Sequence, residues 1–209
     1  MTKPLMSPEC SELPVHTVPY YVAVGLPIGY LGPHTTPVPY NGITGWIRKG
    51  RELFAFSADS MKLWGQVKVP QTIDSLVRSF SSLQAFDQAW SDLVDLELVV
   101  ALPDAEDNRA DRFWHSYRAI PQGYGIGTNF EDNTLFTIML GDDIAIRVCF
   151  LDYMVFAYCD GMRTIRDAAL AASQHLQIDV ALIIQRLPEL IRALLTSGVI
   201  FLDAVGISQ

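Results

Sequence analysis

TLFTIMLGDDIAIRVCF, residues 134–150, decides how this chain is read. Two apolar runs flank Gly141-Asp142-Asp143, which is the turn chemistry of a β-hairpin. Past that turn, Ile144, Ile146 and Val148 alternate with Ala145, Arg147 and Cys149, so the second strand has one strongly apolar face. LDYMVFAYC (151–159) follows as a short buried helix, stopped by Asp160-Gly161. Thr164 then caps IRDAALAASQHL, with Asp167 at the third helical position in a capping-box-like start. Asp179 caps a third helix, whose Leu182, Ile183, Leu187, Leu190, Ile191, Leu194 and Leu195 recur largely at helical spacing up to Ser197-Gly198. Pro188 inside it predicts a kink or break near Arg186. VIFLD (199–203) returns as a strand.

Hairpin, three helices, strand is the layout of a winged-helix unit, and the first half of the chain can be read the same way. LPIGY (26–30) and IPQGY (120–124) are nearly one word, with Tyr30 and Tyr124 as matching anchors. Residues 54–80 lie on 146–172 without a gap at an offset of 92, so that Phe54 meets Ile146, Phe56 meets Val148 and Thr72-Ile73 meets Thr164-Ile165. VVAL (99–102) matches VIFL (199–202) at an offset of 100. The expected fold is therefore α+β, with two winged-helix-like units in tandem, each a β-hairpin, three helices and a closing strand. The first covers 1–102 with a Pro/Gly-rich extended lead-in, the second covers 112–209, and the polar stretch PDAEDNRAD (103–111) links them.

Composition narrows the class. Of 209 residues, 50% are hydrophobic and only 18% charged, enough apolar material for a sizeable core. The net charge is -8, and residues 1–103 (7 Lys/Arg, 9 Asp/Glu) and 104–209 (8 against 14) are both acidic. Neither half has the basic footprint that holds a phosphate backbone, which argues against a nucleic-acid partner. Three cysteines at 10, 149 and 159 make neither a disulfide framework nor a zinc site. Leu13 to Ile47 contains no Asp, Glu, Lys or Arg, yet its prolines and glycines forbid a continuous membrane helix. The N-terminus has no apolar signal core, so the reading is a soluble, cytoplasmic protein without a membrane partner.

Other motifs lose to plainer accounts. GYGIGTN (123–129) has no Lys behind its glycines and leads into Phe130-Glu131-Asp132, so turns and close backbone packing explain it better than a phosphate. RFWHSYR (112–118) interleaves aromatic and basic residues as single-strand binders do, but reads as a linker strand with Phe113 and Tyr117 on one face and Trp114 on the other. No nucleophile has a base beside it, and the four histidines are scattered. The expectation is no enzyme, no cofactor and no metal.

FLDYMVFAYCDGMRTIRDAALAASQHLQIDVALIIQRLPELIRALLTSGVIFLD (150–203) resembles the PqqD-like family, the precursor-peptide recognition elements of ribosomal-peptide biosynthesis. The resemblance rests on the short apolar helix, Asp160-Gly161, Arg163-Thr164-Ile165, and the run from Leu194 to Leu202. It covers about 60 of the 209 residues, and the first half departs from it, with Val69-Pro70-Gln71 before Thr72. The resemblance implies that an extended leader peptide adds as a strand to the hairpin edge, in a groove against the third helix, and is presented to a modifying enzyme. The matching edge is Asp142 to Cys149 and the matching wall Val180 to Ile191. The peptide-binding candidates are Ile144, Ile146, Arg147, Ile184, Leu187 and Ile191. For each apolar candidate the competing account is that it fills the core, first of all for Ile146. The competing function is an acidic tandem winged-helix scaffold for a protein partner, or a regulator that binds DNA. Oligomeric state stays open.

Overall fold

A computed structural model describes residues 18–28, 44–80, 82–128 and 134–205. The chain is mixed α+β, with small antiparallel sheets. In the N-terminal half, β1 (Tyr20–Ala23) pairs with β5 (Val99–Leu102), while β2 (Leu26–Ile28), β3 (Gly45–Lys49) and β4 (Glu52–Phe56) form a sheet in that order. Between β4 and β5 come α1 (Ala58–Gln66), α2 (Ile73–Arg78) and α3 (Leu83–Asp95). After α4 (Ala110–Ser116), the order recurs. β6 (Tyr117–Pro121) pairs with β10 (Ile200–Ala204), and β7 (Tyr124–Thr128), β8 (Leu135–Leu140) and β9 (Asp143–Cys149) form the second sheet. The helices there are α5 (Phe150–Tyr158), α6 (Ile165–Leu176), α7 (Val180–Ile184) and α8 (Leu187–Thr196).

Local chemistry sets these boundaries. A side-chain oxygen at a helix N-cap satisfies one of the orphan N–H groups of the first turn. Thr72 accepts from the N–H of Ser75, Ser82 from Ala85, Thr164 from Asp167 and Asp179 from Ala181. The third helix of the second half breaks at Gln185–Arg186, as Pro188 requires, and α8 restarts with that proline in its first turn.

Backbone equivalences fix the true spacing of the repeated order. Ser57 and Cys149 are N-caps, as are Thr72 and Thr164, and both pairs are 92 residues apart. The closing strands, however, are 101 apart. The N–H of Leu98 donates to Leu93 and that of Val199 to Leu194, directly after Glu97 (φ 51) and Gly198 (φ 72). Matching VVAL to VIFL thus slips one residue, which in a strand exchanges the two faces. The LPIGY–IPQGY match is out of register too. Pro27 lies in β2, paired with Ile47, whereas Pro121 ends β6, paired with Ile200. Tyr30 lies outside the described residues.

RFWHSYR is not a linker strand. Asp107 accepts the N–H groups of Arg109 and Ala110 and starts a helix there, so the boundary drawn at 112 falls inside α4. Phe113 and Tyr117, four residues apart, bring their rings to 4.7 Å, and Trp114 is buried with them.

One core cluster spans the halves. Val22, Val24 and Leu102 pack with Ile165, Leu187, Ile191, Leu194 and Leu202. Val24 forms a parallel bridge to Leu202, whose carbonyl accepts the N–H of Gly25 at 2.8 Å. The apolar faces of α8 are thus covered partly by the first half of the same chain. A second cluster around Leu63, Trp64, Leu76, Phe86 and Leu93 serves the N-terminal half alone.

Candidate functional site

Among the described residues β9 pairs only with β8, which leaves it at the edge of the second sheet. Its register with β8 carries a bulge: Ile138 faces Ile146 and Met139 faces Ile144, so Ala145 has no opposite number. A bulge shifts the alternation of side chains by one. Ala145 and Ile146 therefore both pack against the core, and Ile144 swings to the other face, where 53% of it is exposed. The sequence places Ile144, Ile146 and Val148 on one face; the bulge removes Ile144 from it.

The six candidates consequently separate. Ile144 and Arg147 are exposed on the edge strand. Ile146 and Ile184 are partly buried against the core. Leu187 and Ile191 are fully buried at 0% exposure, and Ile183 is also buried. Both Leu187 and Ile191 are core residues, because α8 restarts after the break with that face turned toward Val22, Val24 and Leu202. On α7, Leu182 faces outward and carries a large apolar side chain into solvent.

Strand and third helix meet at the C-terminal end of β9. Arg186, in the break between α7 and α8, donates to both carboxylate oxygens of Asp152 at 3.1 and 2.9 Å and lies 3.9 Å from Cys149 Sγ. This bidentate pair fixes the break against α5. The Phe136 ring packs against those of Phe150 and Tyr153 in tilted geometry, at centroid distances of 5.0 and 4.9 Å. Gly125 of β7 lets Tyr153 in: a Cβ there would stand 2.4 Å from the phenol oxygen. The glycines of GYGIGTN thus serve close packing, and Gly127 (φ 90) sits at a second register shift, in β7.

A different concavity lies between the halves, with a volume of about 1130 Å³. Its walls are the β3–β4 turn, β5, α4 and the start of β6. Sequence reasoning missed it because its cations come from distant positions; the one local sign was the basic word RKGR at 48–51. Tyr117 lines it with a phenol pushed up to about 12, first by burial and then by Glu97, against the opposing pull of Arg112. Cys159, by contrast, sits in the core, where burial pushes its thiol up to about 12. Among the described residues no group of three His, Cys, Asp or Glu side chains could hold a metal, and no helix is long and apolar enough to cross a membrane. No protein-family model, no curated protein and no solved structure matches the chain.

Proposed function

We propose that the protein is a non-catalytic peptide-binding protein built from two winged-helix-like units, which takes a precursor peptide as an added strand and presents it to a modifying enzyme. The observation that carries this reading is the edge position of β9, with Ile144 exposed on it and Arg186 joining its end to the third helix. An edge strand offers unpaired backbone groups to an incoming peptide, and neighbouring apolar side chains select alternate residues. With Leu187 and Ile191 assigned to the core, the selecting surface is Ile144, Arg147, the exposed parts of Ile146 and Ile184, and Leu182.

A scaffold that binds a folded partner is the second reading. It is favoured by the outer face of the first sheet, where Ile28, Trp46 and Leu53 are all exposed. DNA binding ranks below both. Arg186 is committed to Asp152, Arg192 lies over the Tyr20 ring at 5.2 Å, and Arg166 approaches Asp111 at 3.5 Å.

The test has two steps. Affinity capture from lysate with mass spectrometry identifies the bound species, and a short peptide held with little salt dependence is the expected catch. Ile144→Pro, which cannot donate to a ladder, is then expected to weaken that peptide about tenfold or more while leaving thermal stability nearly unchanged. Equal loss of binding and stability would mean that β9 is internal to the fold, and would sink the proposal.

A further inference from the structure

We infer that the cleft between the halves is a second binding site, for an acidic extended segment of a peptide. The choice of a peptide as ligand rests on the function proposed above; the charge argument stands by itself. In a chain of net charge -8, this cleft is lined by four cations, Lys49, Arg51, Arg109 and Arg112, against three carboxylates, Glu52, Glu97 and Asp107. Two are answered locally, Lys49 by Glu97 at 3.0 Å and Arg109 by Asp107 at 2.7 Å. Arg51 and Arg112 are exposed and have no ion pair among the described residues.

The turn that carries Arg51 is held from behind. Gly50 (φ 58) donates its N–H to Asp203 Oδ1 at 2.8 Å, and Asp203 is fully buried with Arg118 at 2.7 Å. Arg51 therefore starts from a fixed backbone, which lowers the ordering cost of binding. A guanidinium fork matches a carboxylate with two parallel hydrogen bonds.

Size and lining then favour an extended chain over a small anion. A volume of about 1130 Å³ exceeds the roughly 300–1,000 Å³ common for small-molecule pockets. The two uncommitted arginines come from different elements, one on the β3–β4 turn and one on α4, with apolar Val94, Val99 and Phe113 also lining the cleft. That mixed lining of cations and apolar side chains fits a segment with both acidic and apolar side chains. No residue of β9, α7 or α8 lines the cleft, so it is separate from the edge-strand site.

Fluorescence anisotropy with the full chain and a fluorescein-labelled peptide of alternating Glu and Leu tests the assignment, beside the same peptide with Gln for Glu. The acidic peptide is expected to bind about fivefold or more tighter than the Gln version, as two partly exposed charge pairs supply. The gap should narrow between about 50 and about 300 mM sodium chloride. Arg51→Gln combined with Arg112→Gln should remove most of it, and Ile144→Pro should leave it intact. Equal affinity for the two peptides overturns the inference, as does a gap that survives the double arginine variant. Displacement by inorganic phosphate at a matching charge concentration overturns the peptide assignment in favour of a simple anion site. Because the probe does not need β9, the edge-strand reading and the cleft can fail independently.

Discussion

Leu187 and Ile191 separate a groove from a core at single-residue resolution. Each is fully buried, so Leu187→Ala or Ile191→Ala is expected to cost about 2–5 kcal/mol in urea unfolding, as a cavity in a packed interior does. A groove residue would cost far less and lose peptide instead. Cys159 gives a second residue-scale expectation. Burial raises its thiol to about 12 from an ordinary 9.0. Its contribution to stability is therefore complete below the unfolded value and is lost as the pH climbs from there toward the folded one. Cys159→Ala should flatten part of the alkaline loss of stability, measured by urea unfolding near pH 8 and near pH 10. The remainder belongs in part to Tyr117, whose buried phenol titrates in the same direction. In native protein, alkylation mapped by mass spectrometry should leave Cys159 unlabelled, because the reactive thiolate is scarce and shielded.

Helices and their ends were the legible elements. Thr164, Asp179, Pro188 and the turn at Gly141 each carry their chemistry in one or two letters, and the backbone follows them. What escaped was anything set across the sheet. The bulge at Ala145 depends on pairing with Met139 and Ile138, which no run of alternating residues in β9 contains. The aromatics of α4 form a stripe only because a turn at Asp107 starts a helix, and RFWHSYR by itself alternates well enough to pass for a strand. Leu187 and Ile191 were read as groove residues for a related reason, since helical periodicity shows that a face is apolar but not what covers it. Two variants test the element-scale packing. Gly125→Ala would press a methyl group onto the Tyr153 ring and should lower the melting temperature by several degrees. Arg186→Leu would leave Asp152, largely buried, without its bidentate partner and should cost about 1–3 kcal/mol in chemical denaturation.

At the scale of the molecule, a core cluster crosses the boundary, and Asp203, held by Arg118 of its own half, ties the two halves by accepting the N–H of Gly50. The linker can therefore be cut without separating what it joins. Limited proteolysis within 103–109 is expected to yield two fragments that co-elute in size-exclusion chromatography, and their separation would show that the shared core is weak. The bridge from Val24 to Leu202 has a further consequence, which concerns birth rather than equilibrium. A ribosome delivers the N-terminal half first, yet Val24, directly after β1, is bridged by Leu202 of β10, which is made only after the rest of the second half. Until then Val22 and Val24 lack their partners on α8 and β10, and the nascent first half is left with an apolar seam that waits for the second half to seal it.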